Sequence, residues 1–306
     1  MTGGETPARW RPHSPARYHL AEGARWHEGR LLHVDLLRGD LFRSDVRSAS
    51  WPDHVLSLGV PLGAVAPVAA GADDWIAAAG DGIALVGAGG LTWLDRPERG
   101  TGRAMRMNDG ACDPSGRFWA GSMEVRAAAG AGSLYRTGPD GVVERVLDGL
   151  TVPNGPAFSL DGRSMYLADS AHGTISRHAV APATGRLLGS EPFAALAAHE
   201  GRPDGMTVDD DGNLWVALWG SGRVRCYSPG GDVVRDLAVP TLHPSSVAFG
   251  HGVMAVTTAR HRLEHPDGLA GAILLRPTAV SAPPTAPFGP ISVAWRTPPA
   301  GTRTPR

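Results

Sequence analysis

The chain has 306 residues, 42% of them hydrophobic, and a formal net charge of −1 at pH 7. No basic run is interleaved with aromatic residues, which argues against a nucleic-acid partner. All 29 basic residues are arginines, and the lack of lysine excludes enzymes that work through a lysine Schiff base. The two cysteines, Cys112 and Cys226, do not have the spacing of a zinc knuckle or a redox pair.

The ends of the chain are polar. Residues 1–17 lack the apolar core of a signal peptide, and no run approaches the ~18 apolar residues of a membrane span. We therefore expect a soluble, cytoplasmic protein, monomeric or weakly homo-oligomeric. We also expect a disordered lead at residues 1–16, one folded unit at residues 17–280, and an extended tail rich in Pro and Arg at residues 281–306.

Between these ends, short apolar runs are separated by many of the 41 glycines and 26 prolines, which predicts short strands joined by turns. In chain order, a strand-turn-strand unit recurs six times, starting near residues 19, 63, 106, 152, 202 and 243. Such repetition predicts an all-β, six-bladed β-propeller with four-stranded antiparallel blades around a central channel. The one possible helix, residues 191–199, is short.

Polar side chains stand at equivalent places in four of the six copies. Asn108, Asn154 and Asp204 each lie eight residues before a hairpin glycine, and Glu22 lies seven residues before one. Propeller symmetry would bring these positions to one mouth of the channel. Asn-Gly and Asp-Gly are also common turn pairs, but four such residues in different copies favour a shared site.

The four side chains offer hard oxygen ligands, with no thiol or imidazole among them. Such a set suits Ca²⁺, Mg²⁺ or Mn²⁺ better than Zn²⁺. Glu22 and Asp204 would repel each other, and a cation between them would keep both ionised in a partly dry channel. Arg106, two residues before Asn108, should point to the same side of its strand, where it could orient substrate oxygens or form a rim salt bridge.

Three further positions have two interpretations each. Asp169 and Ser170 either line the channel or only form hydrogen bonds at the end of their strand. His243 is either a second base at the mouth or an ordinary surface histidine.

Five ordered motifs between about residues 20 and 277 resemble the SMP-30/gluconolactonase/regucalcin-like (LRE-like) family. They are EGARW at 22–26, RMNDG at 106–110 with GRFWAGSM at 116–123, VPNG at 152–155, YLADS at 166–170, and PDG at 203–205 with GNLWVA at 212–217.

The resemblance implies a six-bladed propeller with one divalent metal ion in its channel, with Ca²⁺ favoured and Mg²⁺, Mn²⁺ or Zn²⁺ as alternatives. Glu22, Asn154 and Asp204 match the family's metal ligands, and Asp204 also matches its proposed general base. Arg106 matches a substrate-binding arginine, and Asn108 matches a position that contacts substrate in some relatives and metal in others. Members of the family hydrolyse lactones, often sugar lactones, and some cleave organophosphates.

Departures from the family pattern concern substrate recognition more than the metal site. Ala24 replaces the proline of the family's Glu-Gly-Pro, and Pro156 follows Asn-Gly. SSVAFGHG at 245–252 replaces the sixth-blade Ser-Cys motif. The acidic substrate contact that usually follows the third-blade motif has Glu124 as its candidate, with Arg126 as the alternative occupant of that place.

We therefore expect a divalent-metal-dependent hydrolase that opens a small, sugar-lactone-like lactone. The metal would polarise the carbonyl, Asp204 would be the general base, and Arg106, Asn108 and Glu124 would bind substrate. Two alternatives stay open. One is a non-hydrolytic metal-dependent tailoring enzyme acting on another carbonyl or cyclisation substrate, and the other is a non-catalytic calcium-binding propeller.

Overall fold

The computed structural model describes residues 9–69, 71 and 73–289. These residues form six antiparallel sheets of four strands each, with one short 3₁₀ turn at Ala198–Glu200. In this part of the chain, no helix is long and apolar enough to cross a membrane. Residues 191–195, where the sequence allowed a short helix, lie instead in an outer strand.

The strands follow one another outward from the channel in each blade. Blade 1 contains β2 (Ala21–His27), β3 (Arg30–Asp35), β4 (Asp40–Ser44) and β5 (Asp53–Ser57). Blade 2 contains β6 (Leu62–Pro67), β7 (Trp75–Ala79), β8 (Gly82–Gly87) and β9 (Gly90–Asp95). Blade 3 contains β10 (Met105–Cys112), β11 (Phe118–Glu124), β12 (Gly132–Thr137) and β13 (Val143–Leu150).

Blade 4 contains β14 (Pro153–Phe158), β15 (Ser164–Asp169), β16 (Thr174–Ala181) and β17 (Arg186–Ala195). Blade 5 contains β18 (Arg202–Val208), β19 (Leu214–Trp219), β20 (Arg223–Tyr227) and β21 (Val233–Ala238). Blade 6 contains β22 (Pro244–Gly250), β23 (Val253–Thr258), β24 (Ile273–Pro277) and β1 (Arg11–Pro12), which comes from the other end of the chain.

The innermost strands of neighbouring blades form a closed ring. β2 contacts β6, β6 contacts β10, and the contacts continue through β14, β18 and β22 back to β2. Apolar side chains fill the spaces between blades, and the expected core residues Trp26, Trp119, Tyr166 and Trp215 are all buried. The six-bladed propeller predicted from the repeat is confirmed.

Aspartates in the hairpin turns tie those turns to the core. In blade 3, the Asp113 carboxylate accepts the indole N–H of Trp119 at 3.0 Å. In blade 5, Asp209 accepts the indole N–H of Trp215 at 2.8 Å and the backbone N–H of Asn213 at 2.8 Å. The repeated spacing of aspartate, glycine and tryptophan in the sequence is thus a structural feature of the blades.

The sixth blade is completed by the N-terminal part of the chain. β1 pairs antiparallel with β24, and the Trp10 indole donates a hydrogen bond to the Ala238 carbonyl at 2.7 Å. Residues 9–16 were expected to belong to a disordered lead, but they lie on the propeller because the outer edge of β24 needs a partner strand. The rest of that lead, residues 1–8, lies outside the described residues.

Part of the expected C-terminal tail also packs on the propeller. We define residues 281–289 as the C-terminal strap. Its backbone forms hydrogen bonds with blades 5, 1, 2 and 3 across the end of the channel where the inner strands finish, and Phe288 is buried with 1% exposure. The remaining tail, residues 290–306, lies outside the described residues. The strap's backbone hydrogen-bond partners are Asp210, Trp26, Pro67, Ala69 and Gly116.

Candidate metal and substrate site at one mouth of the channel

The predicted site residues lie at the end of the channel where the six inner strands begin, which we call the entry mouth. In four blades, the pairing between the first and second strands shifts close to the predicted residue, at positions 22–25, 107–110, 154–157 and 203–206. Such bulges bend a strand and change the direction of its side chains. They allow Glu22, Asn108, Asn154 and Asp204 to leave the regular alternation of the sheet.

Glu22 and Asp204 are two buried carboxylates, 8% and 5% exposed. Burial raises the pKa of Glu22 well above its usual value, and the charges of Asp204 and Asp109 raise it further, against the opposing effect of Arg106. Burial likewise raises the pKa of Asp204, and the Asp109 charge adds to this effect. Within the described part of the chain, the Glu22 carboxylate has no hydrogen-bond donor or ion-pair partner in contact. The two acids therefore lack a compensating positive charge at bonding distance.

A chain of hydrogen bonds fixes the amide side chains beside these acids. Arg106 donates to the Asn108 Oδ1 at 2.6 Å, and the Asn108 Nδ2 donates to the Asn154 Oδ1 at 2.9 Å and to the Pro153 carbonyl at 2.8 Å. The Asn154 Nδ2 donates to the Ser170 Oγ at 2.7 Å. Ser170 therefore belongs to the site's support, and both amide groups are held in one orientation.

Asp109 and Arg25 form a buried ion pair below the carboxylates, and the sequence analysis gave neither residue a role. The Arg25 Nη2 lies 3.4 Å from the Asp109 Oδ1, and the Asp109 carboxylate also accepts the backbone N–H groups of Gly110 and Gly155. Burial raises the pKa of Asp109, and Arg25 opposes this shift. Asp109 lies inside the Asn-Asp-Gly motif, so its position next to Asn108 was the one sequence feature that could have placed it at the site.

Arg106 is partly buried at the entry mouth. Burial lowers its pKa to about 10, and Arg262 contributes to the lowering while Glu22 and Asp204 oppose it. Among the described residues, no carboxylate forms an ion pair with Arg106. Glu124 is the last residue of β11 and directly follows Met123, which pairs with Arg106. One oxygen of Glu124 accepts the backbone N–H groups of Arg126 and Ala128, which fixes this carboxylate against its own loop.

The remaining two blades contribute backbone support at the mouth. At Gly63, an added Cβ would lie 1.7 Å from the Asn108 carbonyl oxygen, so no side chain fits there. Ser245 donates to the Ala21 carbonyl at 2.5 Å, and Ser246 accepts the backbone N–H of Ala24 at 3.0 Å. These serines hold β2 on both sides of Glu22.

His243 lies at the entry mouth with two other histidines that the sequence analysis did not identify. Its ring stacks on Trp219 with centroids 4.0 Å apart, and its Nδ1 lies 3.2 Å from the His261 carbonyl oxygen. The rings of His261 and His19 are in edge contact, with 3.3 Å between Nδ1 of His261 and Nε2 of His19. His261 and the following Arg262 come from the β23–β24 connection, which has no counterpart in the repeat.

The side chains at the mouth fit a divalent cation. Two buried carboxylates with raised pKa values and an amide oxygen held in place are the ligands that Ca²⁺ and Mg²⁺ prefer. No group of three or more His, Cys, Asp and Glu side chains in the described ranges has the arrangement of a metal site. The predicted set of Glu22, Asn154 and Asp204 contains only two such side chains, and its third ligand is an amide.

A separate cavity of about 360 Å³ lies at the opposite mouth, under the C-terminal strap. Its walls include Trp26, Phe158, Met206 and Phe249, with Pro283 of the strap as part of its cover. None of the six predicted site residues lines this cavity. It is therefore distinct from the site at the entry mouth.

The sequence also matches known proteins. The family model described as SMP-30/gluconolactonase/LRE-like region matches residues 20–260. Pentonolactonase XacC of Haloferax volcanii is 34% identical, and the match covers 76% of this chain and 77% of that protein. Regucalcin of Gallus gallus is 31% identical, with 79% of this chain and 84% of that protein covered.

The fold matches solved structures as well. The crystal structure of regucalcin from Agrobacterium tumefaciens, described as a calcium-binding protein, superimposes with a TM-score of 0.84 at 26% identity. That match covers 92% of this chain and 98% of the other. Because the family model spans most of the propeller and the fold agrees, the chain belongs to the SMP-30/gluconolactonase/LRE-like family.

Proposed function

We propose that the protein hydrolyses small lactones of the sugar-lactone type at the entry mouth, with a divalent cation held by Glu22, Asn154 and Asp204. The observation that supports this most strongly is the pair of buried carboxylates with no cationic partner in contact, beside two amides held by hydrogen bonds. The relatives named pentonolactonase and L-arabinolactonase support lactones as the substrate class.

The proposed ligands combine two negative charges with one neutral oxygen. Ca²⁺ fits this set best, since it accepts carboxylate and amide oxygens in flexible geometry. When bound, the cation would supply polarisation of the lactone carbonyl. Asn108 would hold the Asn154 amide in one orientation, because it donates a hydrogen bond to the Asn154 oxygen and another to the Pro153 carbonyl.

In the proposed reaction, Asp204 takes a proton from the attacking water as the water oxygen bonds to the carbonyl carbon. The ring C–O bond then breaks, and the proton passes to the released ring oxygen to give the hydroxy acid. Arg106 donates hydrogen bonds to the substrate from its free guanidinium edge. Glu124, with one oxygen outside the loop contacts, accepts a hydrogen bond from a substrate hydroxyl.

The test uses Asp204→Asn and a matched control, Asp211→Asn, which removes an exposed carboxylate at the opposite mouth. After treatment with a chelator, each protein is assayed with a panel of sugar lactones and each divalent cation in turn. We expect the D204N variant to lose about 10²–10⁴-fold in kcat/KM, the usual contribution of a general base. The D211N variant should retain full activity. Lactone hydrolysis by D204N at the rate of the unmodified protein would contradict the role of Asp204.

Cation binding is measured separately by titration calorimetry. The unmodified protein should bind one divalent cation per chain, and both E22Q and D204N should weaken that binding. A protein that binds the cation through these residues but hydrolyses no lactone would instead be a calcium-binding propeller or an enzyme with a different reaction.

A further inference from the structure

The entry mouth carries a cluster of basic side chains that the proposed hydrolysis uses only in part. Arg106 lies inside the mouth, and Arg262, His261 and His19 lie on its rim. Leu20, just before β2, pairs with Ala259 at the start of the β23–β24 connection, which places His261 and Arg262 at the same mouth as Arg106. His243, which stacks on Trp219, completes the cluster.

Arg262 is exposed and has no ion-pair partner within the described ranges. It occupies a left-handed backbone conformation, φ 62°, in the β23–β24 connection, and its neighbour His261 is anchored by hydrogen bonds. The backbone N–H groups of Arg260 and His261 both donate to the His19 carbonyl, at 3.0 and 2.9 Å. The rim that presents Arg262 is therefore attached to the first blade.

The balance of charges decides what this cluster can bind. A divalent cation at Glu22 and Asp204 would cancel their two negative charges, and Asp109 is already paired with Arg25. Arg106 and Arg262 would then remain at the mouth without an ion-pair partner among the described residues. The acid at the neighbouring strand end, Glu124, is fixed to its own loop and can offset one of these charges. Two guanidinium groups without ion-pair partners attract anions and raise their local concentration.

We propose that the substrate is a lactone that carries an anionic group, a carboxylate or a phosphate ester, bound between Arg106 and Arg262. This inference rests on the proposed lactone hydrolysis and specifies its substrate. The lactone ring would lie toward Asp204, and the anionic group would lie toward the β23–β24 connection. A guanidinium pairs with carboxylate and phosphate oxygens through two parallel hydrogen bonds, which suits both kinds of anion.

The experiment compares lactones that differ only in the charged group. Glucono-γ-lactone and glucaro-γ-lactone have the same ring, with a hydroxymethyl group in the first and a carboxylate in the second. Glucono-δ-lactone and its terminal phosphate monoester form the second pair. We expect the anionic member of at least one pair to have a kcat/KM at least about tenfold higher, the effect of one charge-assisted hydrogen bond. The pair that shows the difference identifies carboxylate or phosphate as the anion.

Arg262→Asn is the informative variant because asparagine tolerates the left-handed conformation and removes the charge. Arg260→Gln is its control: Arg260 is exposed in the same connection, its stem lies against Gly271, and the variant has the same net charge as R262N. R262N should lose the preference for the anionic lactone, mainly through KM, and retain its activity on the neutral partner. R260Q should retain both activities. Added salt should reduce the preference of the unmodified protein.

The outcomes separate this inference from the proposed function. If neutral lactones are hydrolysed as well as their anionic partners, or if R262N and R260Q behave alike, the anion inference is wrong and lactone hydrolysis stands. If no lactone is hydrolysed, the proposed function fails. Calorimetric titration with gluconate and with the neutral hexitol glucitol then tests the anion site alone, since tighter binding of gluconate that is lost in R262N supports it and equal binding contradicts it.

Discussion

His13, in the N-terminal segment, and His33, in blade 1, are both buried. Within the described residues, neither ring nitrogen of either side chain has a hydrogen-bond partner. His33 stacks on Phe42 with centroids 5.3 Å apart and touches the edge of Tyr18. Burial lowers the pKa of His33 to about 3, and His13 adds to this effect. These rings are therefore neutral and behave as aromatic core side chains that carry the cost of two unsatisfied polar atoms each.

We predict that His33→Leu stabilises the protein by about 1–3 kcal/mol, because it removes a buried polar group without a partner. It should also reduce the loss of stability in acid. The folded-state pKa of His33 lies below its unfolded value of about 6.5. The neutral ring therefore costs no proton-linked stability above about pH 6.5, and the protein loses stability as the pH falls from there toward the folded-state pKa. Urea unfolding at several pH values measures both effects.

His54→Leu is the matched control for this prediction. His54 contacts the edge of the same Phe42 ring but is exposed and lies 3.2 Å from Asp40. This variant should neither gain stability nor flatten the acid dependence. Equal effects of the two substitutions would show that the burial of His33 is not their cause.

At the scale of elements, Phe288 is the large buried side chain that anchors the C-terminal strap. Phe288 packs with Ile76, Met107 and Phe118 between blades 2 and 3. Its backbone N–H donates to the Pro67 carbonyl at 2.7 Å, and its carbonyl accepts the N–H of Ala69 at 2.8 Å. The strap thus joins a sheet edge through backbone bonds and fills the core through one side chain.

We predict that Phe288→Ala lowers the free energy of unfolding by about 3 kcal/mol, the usual cost of emptying a buried phenylalanine site. Activity at the entry mouth should persist at temperatures where the variant stays folded, because the strap crosses the opposite mouth. Leu160→Ala is the control, since Leu160 lines the cavity under the strap but is exposed. A loss of stability in L160A as large as that in F288A would contradict the anchor role of Phe288.

The same elements show what the sequence could predict. The inner strands repeat one local pattern, so their number, order and polar positions could be inferred from spacing alone. β1 and the strap could not, because each depends on contacts with distant parts of the chain and has no strong pattern of its own. Residues 191–199 allowed either a short helix or a turn between blades; pairing along β16 holds residues 191–195 in β17, and the connection to blade 5 contains a 3₁₀ turn at Ala198–Glu200.

The site divides in the same way. Glu22, Asn108, Asn154 and Asp204 occupy repeat positions, and the repeat predicted their common mouth. Ser170 and His243 had two interpretations each, and hydrogen bonds to Asn154 and to the His261 carbonyl now give each a definite place. Asp109 was hidden within a turn-like motif. Arg262 lies in an irregular connection, where no periodicity indicates which way the chain returns to the mouth.

At the scale of the whole molecule, Glu22 lies on β2 of blade 1 and Asp204 lies on β18 of blade 5. Their electrostatic repulsion therefore acts between blades across the closed ring of inner strands. Both carboxyls have folded-state pKa values raised by burial and by neighbouring negative charge, above unfolded values of about 4. At a pH between the unfolded and the folded pKa values of these carboxyls, the folded protein without a cation therefore holds more protons than the unfolded chain. Its stability must fall as the pH rises through that range.

We predict that the cation-free protein loses stability as the pH rises above the unfolded pKa values of about 4, and that a saturating divalent cation stabilises it more at high pH than at low pH. Thermal unfolding with a chelator and with each cation measures this directly. Glu22→Gln should be more stable than the unmodified protein without a cation at high pH, and it should gain less from the cation. Asp211→Asn, which neutralises an exposed carboxylate at the opposite mouth, should change neither quantity. If E22Q gained as much from the cation as the unmodified protein, Glu22 would not be a ligand, and the ring of inner strands would not be held together by a shared ion.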